Sequence, residues 1–171
     1  FYPHEVKDNK NVPPVLITDF QVFNKPVGIG GESPLKKHIA ETEEITLSYK
    51  QNVFSFKFVA LDYTIPEKNQ YQYMMEGFDR DWNTIGSRRV ATYTNLPAGH
   101  YTFRVKGTNS DNVWNEEGAS VKITMAPPWW ETAWFRGVMT IVIIGLVIGG
   151  YRWRVTTIQA HARKLEEQVA E

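Results

Sequence analysis

One stretch of this sequence, residues 134–153, constrains the chain more than any other. It reads WFRGVMTIVIIGLVIGGYRW, and the residues between Arg136 and Arg152 carry no charge. Because a helix rises about 1.5 Å per residue, the stretch extends about 30 Å, the thickness of a bilayer's hydrocarbon core. Branched apolar residues fill its centre and favour membrane insertion. We therefore predict a single transmembrane helix over residues 134–153.

Aromatic residues flank this stretch on both sides, as they do at the two interfaces of a membrane. They are Trp129, Trp130, Trp134, Tyr151 and Trp153. Arg136 lies within the first turn, where its side chain can extend back to the interface. A buried helix of a soluble protein is the alternative, but it accounts for neither the aromatic flanks nor the glycines within the stretch.

Basic residues predict the orientation of the span. Arg152, Arg154, Arg163 and Lys164 follow it closely, whereas Arg136 is the only basic residue near its start. The positive-inside rule places residues 154–171 in the cytoplasm and residues 1–133 outside. The first ten residues contain no apolar signal region, so we expect residue 1 to lie in the interior of a longer protein.

Composition limits what the outer part of the chain can be. The chain has 171 residues, a formal net charge of +0 and no cysteine. Without the span and its tail, enough residues remain for one domain with a real core. The neutral charge gives no support for a nucleic-acid surface, and the absence of cysteine excludes disulfides and thiol chemistry.

Alternation of apolar and polar residues predicts short β-strands before residue 127. In residues 53–61, for example, three phenylalanines and Ala60 share one face, and Ser55 and Lys57 share the other. The other predicted strands are residues 15–23, 44–48, 70–76, 90–94, 101–106 and 119–125. Residues 109–118 are predicted to be a polar loop carrying Trp114. This pattern is typical of an all-β fold, an antiparallel β-sandwich.

A second helical pattern follows the span. Apolar residues recur at spacings of three and four, at Val155, Ile158, Ala162, Leu165 and Val169. This spacing is typical of the seam of a parallel coiled coil and predicts a homodimer. An amphipathic helix lying on the membrane is the alternative, although glutamates there would face anionic lipid poorly. Gly145 and Gly149 could form a further contact between membrane helices, on a face about 100° from the seam.

Two segments resemble the signature of the Y_Y_Y domain. The first runs from Tyr71 to Asp79 and on to Trp82; the second runs from Tyr93 to Val105 and continues to Trp114. The residues that carry the resemblance are Tyr71, Tyr73, Gly77, Phe78, Asp79, Trp82, Tyr93, Leu96, Pro97, Gly99, Tyr101, Phe103 and Trp114. The resemblance implies an immunoglobulin- or fibronectin-III-like sandwich over residues 13–126. It also implies that the tyrosines are structural, with Tyr101 in a tyrosine corner whose hydroxyl bonds to the backbone.

The resemblance further implies a biological setting. Such domains lie between periplasmic β-propeller repeats and a membrane helix in hybrid two-component sensor histidine kinases of Bacteroidetes, which regulate polysaccharide-utilisation genes. Residues 1–12 would link to the propeller, residues 127–133 would be juxtamembrane, and residues 154–171 would lead to a kinase core. The chain would relay binding of an oligosaccharide, held outside these residues, across the bacterial inner membrane. ATP and magnesium are expected only in the kinase core.

Catalytic and metal sites within the chain itself are poorly supported. Glu76, Asp79 and Asp81 are better explained as turn-forming or solvated residues than as a glycosidase pair. Asp111 lies in a polar loop that lacks the calcium ligands of an EF-hand. His161 lacks the acidic neighbour and the proline of a phospho-acceptor site, which we expect beyond residue 171. We therefore expect no catalytic residue, cofactor or metal ligand here.

Two other functional classes remain open. A membrane-anchored carbohydrate-binding or adhesion module would use exposed aromatic residues such as Trp114 as a sugar platform, but it has no need of a coiled-coil seam. An accessory domain of a glycoside hydrolase would need a catalytic domain upstream, and the membrane span disfavours it.

Overall fold

The computed structural model describes the backbone of residues 9–169 and the side chains of residues 9–156. The chain divides between Pro127 and Pro128 into a β unit and a helical unit. Each unit is described by itself below.

The described part of the β unit consists of nine strands arranged in two sheets. The strands are β1 (Val15–Val22), β2 (Lys25–Pro26), β3 (Glu44–Leu47), β4 (Val53–Ala60), β5 (Tyr71–Glu76), β6 (Asn83–Gly86), β7 (Val90–Thr94), β8 (Gly99–Thr108) and β9 (Trp114–Met125). One sheet has the order β2-β1-β4-β7, and the other has the order β3-β9-β8-β5-β6. The predicted β-sandwich is confirmed.

One strand pair departs from the predicted antiparallel arrangement, because β3 runs parallel to β9. A tight hairpin can join only antiparallel strands. The chain instead reaches β3 from the other sheet through a long connection that includes a 3₁₀ turn, Ile39–Glu41. This crossing lets β3 cover the edge of the second sheet in parallel register.

The core lies between the sheets and is rich in aromatic residues. Phe54, Phe56 and Phe58 of β4 are all buried, as their alternation predicted, and the ring of Phe56 stacks on that of Phe103 at 4.4 Å. Ser55, on the opposite face of β4, is buried as well and is only 2% exposed. β4 is an interior strand, so the Ser55 hydroxyl is flanked by neighbouring strands and lies 2.9 Å from the Thr92 hydroxyl.

Two further expectations about the β unit differ from the structure. β6 was not predicted. The polar loop predicted over residues 109–118 is present for residues 109–113 and wrong for residues 114–118, because β9 already begins at Trp114. The pairing of β8 with β9 shifts register between Val105 and Gly107 and then resumes as far as the pair Thr108–Trp114. This β-bulge interrupts the alternation that marks a strand in the sequence.

The helical unit begins with a 3₁₀ turn, Trp129–Glu131, and continues as one helix, α1 (Ala133–Val169). Among the described residues, one stretch, Ala133–Thr156, is long and apolar enough to cross a membrane, with a mean hydropathy of 1.8. The helix predicted over residues 134–153 is therefore present. α1 continues through the predicted seam, but the side chains of Ile158, Ala162, Leu165 and Val169 lie outside the described residues, and the coiled coil stays a prediction.

Candidate coupling site

The chain approaches β1 through residues 9–14, here called the arm, which are held by side chains of the β8–β9 connection. The Asn109 Nδ2 group donates hydrogen bonds to the carbonyl oxygens of Asn9 at 2.5 Å and Asn11 at 2.9 Å. The backbone N–H of Asn9 donates to Asp111 Oδ2 at 2.6 Å. Further along, Asn115 Nδ2 donates to the carbonyl of Pro13 at 2.9 Å. These bonds tie the arm to one end of the sandwich.

Asn109 is the central residue of this contact. It is 0% exposed, and its Oδ1 accepts hydrogen bonds from the backbone N–H groups of Asp111 and Val113, both at 2.9 Å. One amide therefore orders its own loop with its oxygen and holds the arm with its nitrogen. Asparagine suits this position because its side chain both donates and accepts at fixed geometry.

A buried carboxylate in the connection between β4 and β5 supports the same loop. Asp62 is 8% exposed, and its Oδ2 accepts from the backbone N–H of Ser110 at 2.8 Å. Its Oδ1 accepts from the hydroxyl and the N–H of Thr64. Burial by itself would raise the pKa of Asp62, but the hydrogen bonds from Ser110 and Thr64 outweigh it and lower the pKa. Asp62 therefore stays ionised and holds the loop that in turn holds the arm.

The chain leaves the sandwich at the opposite end. In the pairing of β8 with β9, Thr108 faces Trp114 at the arm end, and Gly99 faces Met125 at the exit end. β8 covers about 30 Å between these ends at roughly 3.3 Å per residue. The N–H of Ala126 donates to the carbonyl of Leu47 at 2.8 Å, which fastens the last residues to β3. One long hairpin thus connects the arm with the exit.

The tyrosines and the acidic turn are structural in this arrangement. The Tyr101 hydroxyl donates to the carbonyl of Pro97 at 3.0 Å, as expected for a tyrosine corner. Asp79 Oδ2 accepts from the backbone N–H of Met75 and from the hydroxyl of Tyr93, which closes the turn after β5. Burial, reinforced by Asp79, raises the pKa of Tyr93, so this phenol remains a neutral donor.

The outer face of the larger sheet carries a layer of alternating rings and cations. Lys106 Nζ lies 4.6 Å from the ring centroid of Trp82 and 5.5 Å from that of Trp114, and it pairs with Glu116 at 2.8 Å. Arg104 pairs with Glu76 at 2.9 Å. Trp114 therefore lies on a strand beside a lysine rather than in an open loop.

The structure distributes the signature residues over seven places along the chain. Tyr71 and Tyr73 lie on β5, Gly77, Phe78 and Asp79 in the following turn, Trp82 just before β6, Tyr93 on β7, Leu96 and Pro97 in the turn before β8, Gly99, Tyr101 and Phe103 on β8, and Trp114 on β9. In the helical unit, Gly145 and Gly149 lie on α1 with no heavy atom within 4 Å of an added Cβ. Val155 is the one seam residue whose side chain is described, and it is half-buried.

Sequence reasoning missed the roles of Asn9, Asn11, Asn109 and Asp62. A run of asparagine and aspartate between two strands does indicate a turn whose side chains bond to the backbone. It does not indicate that the partner backbone lies some hundred residues earlier in the chain. Within the described residues, no group of three or more histidine, aspartate or glutamate side chains could hold a metal ion.

The tyrosine corner, the Asp79 turn and the long hairpin all lie within residues 75–125. Residues 62–126 match the Y_Y_Y domain family. The Y_Y_Y domain predicted from the signature residues is confirmed, and these residues include the loop that holds the arm.

Named relatives extend this result. Over 135 residues the chain is 40% identical to Histidine kinase P4 of Formosa agariphila, covering 78% of this chain and 10% of that protein. The extracellular domain of the hybrid two-component system BT4673 of B. thetaiotaomicron is 30% identical, with a TM-score of 0.57 over 68% of this chain. That of BT3049 from the same organism is 32% identical, with a TM-score of 0.53 over 68%. The chain is therefore homologous to part of a histidine kinase and to part of the extracellular domains of hybrid two-component systems.

These relatives are much longer than the chain. It spans a tenth of the length of Histidine kinase P4 and 16% of each of the two solved chains. The similarities support a sensor role and a kinase-containing parent protein.

Proposed function

We propose that this chain is the signal-transmission segment of a membrane sensor histidine kinase in a two-component phosphorelay. It relays periplasmic ligand binding across the bacterial inner membrane to a cytoplasmic kinase that regulates transcription. The main support is the position of the arm and the exit at opposite ends of the β8–β9 hairpin. A displacement of the arm thus reaches the exit through the backbone hydrogen bonds between β8 and β9, which run the length of the hairpin apart from the bulge near Gly107.

The proposal assigns a part to each segment. Residues 1–12 link to an upstream propeller that binds an oligosaccharide derived from a polysaccharide, and residues 13–126 form the coupling domain. Residues 127–133 join this domain to the span over residues 134–153, and residues 154–171 lead to the kinase core, which takes ATP and magnesium. The periplasmic side carries residues 1–133, as the basic residues after the span favour.

The mechanism requires two states of a homodimer. Ligand binding changes how the paired sandwiches sit, and this change rotates or separates the paired spans. The seam face and the face of Gly145 and Gly149, about 100° apart, are candidate contact faces for the two states. Their free energies can differ by only a few kcal/mol if a ligand is to shift the population from one to the other.

Disulfide crosslinking in native membranes tests the proposal. Single cysteines are introduced one at a time from residue 155 to residue 169, in a chain that has no native cysteine. The proposal expects crosslinking maxima at residues 155, 158, 162, 165 and 169, because seam positions of a parallel dimer face each other. Uniformly weak crosslinking would indicate a monomeric anchor and would place the carbohydrate-binding or adhesion module first.

A further inference from the structure

Four aromatic rings cluster where α1 begins. The ring centroid of Phe135 lies 4.9 Å from that of Trp129 and 5.9 Å from that of Trp134. Trp130 lies 5.4 Å from Trp129. Their interplanar angles of 81°, 84° and 82° are edge-to-face arrangements, which aromatic pairs favour. We call Trp129, Trp130, Trp134 and Phe135 the aromatic wedge.

The wedge is held in shape by the backbone before the helix. Trp129 precedes α1, yet a 3₁₀ turn and a hydrogen bond from the Thr132 hydroxyl to the Trp129 carbonyl place its ring against Phe135 in the first helical turn. The N–H of Arg136 donates to the carbonyl of Thr132 at 3.2 Å, which joins the turn to the helix. The rings therefore form one body with the helix start.

The wedge also leaves a large apolar surface uncovered. Trp129, Trp130 and Trp134 are 54%, 44% and 65% exposed. Indole rings of this kind, with an apolar body and one N–H donor, suit the interface between headgroups and acyl chains. The wedge is continuous with a helix that is apolar enough to cross a membrane, so a lipid surface fits it better than a protein partner.

Charged residues limit the depth of the helix from both sides. In an ideal helix, the Cα atoms of Arg136 and Arg152 lie about 24 Å apart along the axis, less than the roughly 30 Å of a hydrocarbon core. Both side chains must therefore already extend outward to reach water. A shift of one turn, about 5.4 Å, in either direction would carry one of the two arginines toward the bilayer centre.

We propose that the aromatic wedge docks in the outer interface of the bilayer and, together with Arg136 and Arg152, holds α1 at a fixed depth. This inference deepens the proposed function and rests on it in one respect. If α1 carries a signal, the signal crosses the membrane by rotation or tilt of the helix and not by sliding along its axis.

We call this fixing of the helix depth by the wedge and the two arginines the depth lock. Cysteine accessibility in vesicles tests it. Single-cysteine substitutions at residues 137–151, and one at residue 133 as an exposed reference, are reconstituted in phosphatidylcholine vesicles and treated with a membrane-impermeant maleimide. The scan is repeated with W129A, W134A and F135A combined, which removes most of the wedge. The matched control combines W82F and W114F, which changes aromatic residues of the β unit only.

The lock predicts a sharp boundary at about residue 137 in the unsubstituted background and in the control. In the wedge variant, labelling at residues 137–140 should rise at least threefold, because without the aromatic anchor only Arg152 opposes an outward shift of the helix start. An unchanged boundary in the wedge variant would overturn the lock and leave the proposed relay intact. Labelling throughout residues 137–151 in the unsubstituted background would show that α1 does not cross the bilayer, and would overturn both.

Discussion

Replacing Asn109 by aspartate is the sharpest single test of the coupling site. The two side chains have nearly the same shape, but the substitution exchanges an NH₂ group for a carboxylate oxygen. That oxygen would face the carbonyl oxygens of Asn9 and Asn11, which now accept at 2.5 and 2.9 Å. Oδ1 can still accept from Asp111 and Val113. The substitution therefore removes the hydrogen bonds from residue 109 to the arm and keeps those that order the loop.

The magnitude follows from the bonds lost and the burial. Two hydrogen bonds contribute about 0.5–1.5 kcal/mol each, and leaving buried polar groups unpaired costs about 1–3 kcal/mol more. Since Asn109 is 0% exposed, we expect Asn109→Asp to lower the free energy of unfolding by roughly 3–5 kcal/mol. A domain of this size has about 5–15 kcal/mol in total, so the loss should be easily measured.

The effect should also depend on pH in a defined direction. Burial and the facing carbonyl oxygens raise the pKa of the introduced carboxyl in the folded state above its unfolded value. The folded state then binds a proton more readily than the unfolded state, so the stability of the variant relative to the parent rises as the pH falls through the folded pKa. A protonated carboxyl can again donate one hydrogen bond to the arm.

Urea unfolding followed by tryptophan fluorescence, at several pH values, measures both effects in the chain held in detergent. Limited proteolysis reports release of the arm separately. Asn112→Asp is the matched control, because it places the same charge in the same loop on an exposed side chain. A loss below about 1 kcal/mol, or equal losses for the two variants, would refute the reasoning that Asn109 holds the arm.

Three further predictions concern the β unit. Gly118→Ala should destabilise the fold far more than Gly86→Ala, although the two glycines have nearly equal φ values of 63° and 62°. An added Cβ at Gly118 would lie 2.1 Å from the Val105 carbonyl oxygen, whereas one at Gly86 would meet nothing within 4 Å. Thermal unfolding should show a loss of stability of about 1–2 kcal/mol for Gly86→Ala and of more than about 3 kcal/mol for Gly118→Ala. The pKa of Asp62 is lower in the folded state than its unfolded value of about 3.8, so the Asp62 carboxylate stabilises the fold at pH values above 3.8, and this stabilisation is lost as the pH falls through the lower folded pKa. Acid unfolding of Asp62→Asn should therefore show a shallower pH dependence than that of the parent chain, and an unchanged slope would contradict this prediction. Tyr101→Phe should cost about 1 kcal/mol, since it removes one hydrogen bond to the Pro97 carbonyl and keeps the ring; a neutral result in urea unfolding would show that the tyrosine corner is dispensable.

Local patterns predicted much of this fold because each depends on neighbouring residues alone. The phenylalanines of β4 alternate with a period of two, so their burial followed from the strand geometry. The uncharged stretch before Arg152 predicted a membrane helix because length and polarity suffice to specify one. The turn after β5 followed from Gly77, which has a positive φ of 92°, and from Asp79.

The errors arose where contacts between distant segments override the local pattern. Residues 109–118 are polar enough to suggest a loop, but pairing with β8 extends β9 through residues 114–118, and a bulge at Gly118 absorbs the irregularity. Ser55 has the sequence context of an exposed strand residue, yet its strand has neighbours on both sides. The parallel pairing of β3 depends on which sheet edge was open, and no local signal carries that information.

The class of fold, the membrane helix and the signature of the Y_Y_Y domain could all be predicted from the amino-acid sequence. Periodicity, length and motif are properties of consecutive residues, so they can be read along the chain. The hydrogen bonds from Asn109 to residues 9–11 and the support of its loop by Asp62, in the β4–β5 connection, are visible in the three-dimensional structure alone. These contacts join segments about a hundred and about fifty residues apart, and only the packing of the two sheets brings them within hydrogen-bond distance.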